Sequence, residues 1–168
     1  EEADTYWADL GRRWYMGEKY YKPYPICRWA QAPVEGARNL MQRHGFCAEN
    51  IRKIEVDTFH KAVRLVTKSP RTTEEAQYST IFPVAIALAR GNVSAYDVSE
   101  EALQDPKILR LSNSLVMHEN KDANKVFPIQ RPAKATITLD GDQICVGDWV
   151  EAKWDATIPP IALELKDK

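Results

Sequence analysis

The sequence predicts an α+β domain, with a small, mostly antiparallel sheet and helices packed on one side. Three observations carry this. Residues 51–58 alternate, with Ile54, Val56 and Thr58 on one face and Lys53, Glu55 and Asp57 on the other. That is the period-2 pattern of a half-buried strand. Residues 76–90 are apolar almost all round, the mark of a helix buried on most sides. Strands and helices also follow one another without the regular alternation of a parallel sheet.

The elements follow in chain order. Asp4 to Trp14 has Tyr6, Trp7, Leu10 and Trp14 at helical spacing. Trp14 to Tyr21 is aromatic-rich and reads as a strand. Lys22-Pro23-Tyr24-Pro25 is stiff and extended, because two prolines fix the backbone and exclude a helix. A helix is expected from Gln31 to His44, with Pro33 in its first turn. Ala30, Val34, Ala37, Leu40 and Met41 give it an apolar face, and Gly45 stops it. The strand Ile51–Thr58 comes next, then a short helical turn in 60–66 and a loop over 69–73.

Thr72 and Glu75 have capping-box spacing, so a helix starts there. Pro83 lies within the apolar run that follows. Either it kinks one helix or it begins a second, and Gly91 closes the run. Short helices are expected at 99–103 and 106–111, and strands at 116–119, 134–140 and 143–153. Asp140-Gly141 is a hairpin signal between the last two. The tail after Trp154 is broken by proline and then polar. No boundary between domains is visible, so 1–168 reads as one domain.

Composition excludes several function classes. With 23 basic and 24 acidic side chains the net charge is -1. A nucleic-acid reader carries a basic excess, since phosphate contact is largely electrostatic. No apolar run approaches the ~20 residues of a membrane span. Cys27, Cys47 and Cys145 are sparse and odd in number, which suits a reducing compartment and a cytoplasmic location. His44, His60 and His118 are scattered without ligand spacing, so no metal is expected. Glycine-rich phosphate loops are also missing, and no cofactor is expected.

Two segments carry candidate chemistry. Lys22-Pro23-Tyr24-Pro25-Ile26-Cys27-Arg28 places two cations on a rigid stretch before a helix. Fixed cations suit a small polycarboxylate, because preorganised charge avoids reorganisation cost. The plainer reading is a bent loop with solvated cations. Ala76-Gln77-Tyr78-Ser79-Thr80 sets polar groups beside a buried helix, either to line a cleft or to bond locally.

Together these segments resemble the MmgE/PrpD family, which includes 2-methylcitrate dehydratase, cis-aconitate decarboxylase and iminodisuccinate epimerase. Asp105-Pro106 before Ile108 and Leu111, then Phe127-Pro128, then Leu139-Asp140-Gly141 agree in order. The resemblance covers only the carboxy-terminal, lid-like domain. It implies a larger all-helical domain ahead of it, which these 168 residues do not contain, supplied by the same or another chain. It also implies homodimers, and cofactor-free proton abstraction beside a carboxylate of a small di- or tricarboxylate. Outcomes in the family are dehydration, decarboxylation or epimerisation, so the parent protein is expected to be a lyase or isomerase. The 168-residue chain alone is expected to be inactive.

By the same resemblance Lys22 is the catalytic lysine, which binds carboxylate or stabilises developing negative charge. Arg28, Ser79 and Gln31 are the substrate-binding candidates. Two positions depart from the pattern: Gln31 stands where many members have histidine, and Phe82 where many have tyrosine. Neither accepts a proton near neutral pH. An alternative is therefore a non-catalytic module that pairs with a separate helical domain, its apolar surface forming the interface.

Overall fold

A computed structural model describes residues 2–166; the side chains of Glu2, Ala3 and Tyr6 lie outside the described set. The helical face expected at the start therefore falls partly outside the described residues at Tyr6. The chain forms two compact units. One is Tyr24–Ala152. The other is made by the two chain ends, up to Pro23 and from Lys153.

The unit of the chain ends holds helix α1, Glu2–Trp7. The strand expected over 14–21 is not formed. A single 3-10 turn, Tyr15–Glu18, stands in its place. The cause is local: Arg13 Nε and Glu18 Oε1 close the turn at 2.6 Å, and Trp14 and Met16 are exposed.

In the larger unit, α2 spans Arg28–His44 and ends on Gly45, whose φ of 67° is the left-handed conformation of a helix stop. It starts three residues earlier than the spacing suggested, so Pro33 lies inside the helix rather than in its first turn. Extended Cys27 provides the break that the helix starts from.

Strand β1, Ile51–Thr58, falls as the alternation predicts. After it come α3, His60–Val63, then α4, Thr73–Tyr78, and α5, Phe82–Arg90. The apolar run is therefore two helices, and Pro83 opens the second. Ser79 is extended between them, with ψ at 140°. Helices α6, Glu100–Gln104, and α7, Pro106–Asn113, lead to β2, Leu115–Glu119. A helix the spacing did not suggest, α8, covers Lys121–Val126, capped by the Asn120 side chain. Strands β3, Ala133–Leu139, and β4, Ile144–Val150, finish the unit. Another unforeseen short helix, α9, Ala162–Lys166, belongs to the unit of the chain ends.

The sheet order is β2-β1-β3-β4. β1 pairs antiparallel with β3, and β3 with β4, but β1 and β2 are parallel. The sheet is thus mixed. What permits the parallel pair is the long excursion through α3 to α7 between β1 and β2, since parallel neighbours need a crossover that a tight hairpin cannot provide. The Asp140-Gly141 turn reverses the chain, with Gly141 at a φ of 76°.

One sheet face, with Ile54, Val56, Leu115, Ala135, Ile137 and Cys145, is buried. Helix α2 covers β3 and β4, α7 lies against β1, and α5 packs between α2 and α7. Full burial of each large side chain, such as Phe82 or Ile86, contributes about 1.5–3 kcal/mol. Two glycines let α2 come close. A Cβ on Gly147 would stand 3.0 Å from the Ala135 carbonyl oxygen, and one on Gly36 would stand 3.4 Å from Val150 Cγ2. β4 is bulged beside Gly147, where the register with β3 shifts between Lys134 and Thr136.

Candidate functional site

The structure joins the two segments that the sequence singled out. The backbone N–H of Cys27, which precedes α2, donates to the Gln77 carbonyl of α4 at 2.8 Å. The start of α2 therefore sits beside the end of α4. Arg28, the first residue of α2, is buried there, with 8% of its surface exposed. Burying a guanidinium is costly unless something of opposite charge or polarity meets it.

The path of Tyr24 to Ile26 is set by a polar stripe on α2. Gln31, Glu35 and Arg38 lie at i, i+4 and i+7, so they share one face. Gln31 Nε2 donates to the Tyr24 carbonyl at 2.9 Å and to the Ile26 carbonyl at 3.3 Å. Its Oε1 accepts from the Tyr24 N–H at 3.3 Å. The Tyr24 hydroxyl donates to Glu35 Oε1 at 2.6 Å and accepts from Arg38. Arg38 Nε continues to the Gly91 carbonyl at 3.0 Å. Burial, and then the bond to Glu35, push the Tyr24 phenol above its ordinary pKa.

Ser79 is also internal. Its hydroxyl donates to the Thr67 carbonyl at 2.8 Å and accepts from the N–H groups of Phe82 at 3.0 Å and Ile81 at 3.2 Å. It thus satisfies donors at the start of α5 that a helix leaves open. Gln31 is 0% and Ser79 1% exposed, so both polar groups face the protein interior. Phe82 is core, at 0% exposed. Lys22 lies in the unit of the chain ends and its side chain is exposed.

Of the four sequence candidates, then, Arg28, Gln31 and Ser79 surround the meeting of α2 with α4 and α5. Sequence reasoning missed Tyr24, Glu35 and Arg38. A signal existed: polar residues at positions 31, 35 and 38 make a stripe beside the apolar one at 30, 34, 37 and 41. Spacing alone does not say that such a stripe is buried. Among the described residues, no three His, Cys, Asp or Glu side chains gather where they would hold a metal ion. No helix among them is long and apolar enough to cross a membrane.

The sequence model of the MmgE/PrpD C-terminal domain matches residues 24–159. No curated protein matches the chain. The match takes in the whole sheet, α2 to α8 and the start of the tail. The chain belongs to the MmgE/PrpD family, as a copy of its C-terminal domain.

Proposed function

We propose that this domain is part of a cofactor-free lyase or isomerase that acts on a small di- or tricarboxylate. The reaction removes a proton beside a carboxylate, and the outcome is dehydration, decarboxylation or epimerisation. The observation that carries the reading is the family match, together with the buried Arg28 at the start of α2. Proton abstraction beside a carboxylate builds negative charge on its oxygens, and a fixed cation stabilises that charge more in the transition state than in the ground state. Lys22 would hold or neutralise a substrate carboxylate. Gln31 and Ser79 support the site from behind, by fixing the backbone around it. The reading includes a helical domain, of the same or another chain, to complete the cleft. It also includes a homodimer and a cytoplasmic setting, which the free thiols of Cys27, Cys47 and Cys145 suit.

A second reading, a non-catalytic module paired with a helical partner, is favoured by one observation. Gln31 and Phe82, the two departures from the family pattern, are wholly buried and serve the fold. One experiment separates the readings. The native gene product, with whatever helical domain or partner it carries, is incubated with citrate, 2-methylcitrate, cis-aconitate, malate and iminodisuccinate. Turnover of any of these supports the enzyme. Failure on all five, by a folded and fully assembled protein, favours the module.

A further inference from the structure

β4 is the last strand of the sheet, and among the described residues no strand pairs with its outer edge. Ile144, Val146 and Trp149 lie on the face of the sheet turned away from the helices. Their partners on β3 are Thr138, Thr136 and Lys134, which alternate with buried Ala133, Ala135, Ile137 and Leu139, and cross-strand partners share a face. Regular alternation would turn Trp149 to the opposite face, three residues after Val146. The bulge beside Gly147 adds one residue to β4 and brings Trp149 back into line. Ile144 is 62%, Val146 52% and Trp149 45% exposed. The rows further in are Thr138, Thr136 and Lys134, then Lys53, Glu55 and Asp57 on β1. The apolar row is therefore confined to the rim of the sheet.

Edge strands are commonly guarded by charged side chains, by proline or by a covering element. At the other edge of this sheet, β2 carries His118 and Glu119, and α3 lies against it. The one charged residue within β4, Asp148, turns instead toward α2, where Arg43 Nη2 donates to its Oδ2 at 2.9 Å. Both side chains of that pair are more than half exposed, so the rim offers one cation and one anion side by side. Those charges choose the occupant. A partner strand of a single charge sign sets like charge against either Arg43 or Asp148. A second copy, related by a two-fold axis, brings an anion to each cation and a cation to each anion, as a self-complementary contact requires.

We infer that the outer edge of β4 binds the β4 edge of a second copy of this chain; the inference rests on the homodimer included in the reading above and gives that dimer its surface. A two-fold axis perpendicular to the sheet makes the two β4 strands antiparallel. They pair through backbone N–H and C=O groups that are otherwise left to water, and the two sheets become one. Ile144, Val146 and Trp149 of each copy join into a single apolar ridge across the axis, and Arg43 of each copy reaches the partner's Asp148. Charge stays off the ridge, as in the centre of a protein interface, and tryptophan is among the residue types that most often anchor one.

The test uses the native gene product in sedimentation velocity over a dilution series. The wild type is expected to dimerise. Val146→Lys and Trp149→Lys each place a charge on the ridge twice per dimer, and each is expected to weaken it by about 10²-fold or more. Both positions are exposed, so melting temperatures should stay within about 2 °C of the wild type. Arg43→Asp sets two acids together and should weaken the dimer about 10-fold, whereas Arg43→Asp combined with Asp148→Arg restores it. Tyr96→Lys, at an exposed position outside the sheet, is the control and leaves the dimer unchanged. A wild-type dimer indifferent to Val146→Lys and Trp149→Lys overturns the inference alone, and so does a double swap no tighter than Arg43→Asp. A wild type that stays monomeric throughout overturns the inference and the homodimer of the reading together, while the carboxylate chemistry keeps its own test.

Discussion

The Tyr24 hydroxyl donates to Glu35 Oε1 at 2.6 Å inside the core, with Arg38 on its other side. Tyr24 is 4% and Glu35 3% exposed. The contact joins the proline-rich segment to the middle of α2, eleven residues along the chain. The phenol bonds at once to the buried Glu35 carboxyl and to the half-buried Arg38 guanidinium, so the three groups form one network.

Removing that hydroxyl takes one bond from the buried Glu35 carboxyl and one from the half-buried Arg38. Tyr24→Phe is expected to destabilise the domain by about 1–3 kcal/mol, the usual penalty for an unmet buried polar group. Urea unfolding followed by circular dichroism measures this. A midpoint equal to that of the wild type would mean that the contact contributes nothing net.

The same hydroxyl makes stability fall in alkali. Burial and the Glu35 bond raise the Tyr24 pKa in the folded state, so the fold favours the neutral phenol. The stabilisation is fully present below the unfolded pKa of about 10 and is lost as pH rises toward the folded value. Between pH 10 and 11 the loss is about 1 kcal/mol. Urea midpoints across pH 8 to 11 should fall more steeply for the wild type than for Tyr24→Phe. Parallel curves would sink the argument.

Ser79 and Lys22 are expected to part ways. Ser79→Ala removes an acceptor for two N–H groups at the start of α5 and should cost about 1–3 kcal/mol of stability. Exposed Lys22→Ala should change stability by no more than about 0.5 kcal/mol, yet lower turnover of the native gene product about 10²-fold or more. Thermal melts and initial rates on both variants decide it. A Lys22→Ala protein within three-fold of wild-type turnover would remove Lys22 from the site.

The two glycines at the α2–sheet contact should also differ. Gly147→Ala drives a Cβ to 3.0 Å from the Ala135 carbonyl oxygen and 3.5 Å from Leu40, so a loss of about 1–3 kcal/mol is expected. Gly36→Ala meets Val150 Cγ2 at 3.4 Å and recovers up to about 1 kcal/mol of helix propensity, which leaves it near neutral. A pair of melting curves checks the order. Equal losses would mean that the close approach at Gly147 does not limit packing.

Local signals in the sequence located most elements. Alternation at Ile54, Val56 and Thr58 put β1 where it is, because strand geometry alone dictates which side chains face inward. Gly45 and Gly91 ended helices α2 and α5 with positive φ, since a left-handed stop suits the residue without a Cβ. The Lys22–Arg28 and Ala76–Thr80 segments together carried the family resemblance, and the family match over 24–159 agrees with it.

Where local signals were weak, packing decided. The aromatic 14–21 segment has a strand's composition but pairs with no strand among the described residues, and it forms a 3-10 turn. Short helix α8 has little periodicity to read, and its cap, Asn120, acts only through backbone groups two and three residues on.

The sequence by itself determined the class of fold, the inward faces of its strands and the ends of its longer helices. Each of these is fixed by residues a few positions apart. Tertiary structure alone decided that β1 and β2 run parallel, that Gln31 and Ser79 turn inward, and that His60 meets Glu119 fifty-nine residues away. Those outcomes depend on which segments come together when the apolar face is buried. That choice is made by the whole chain at once, and no short stretch of it records the result.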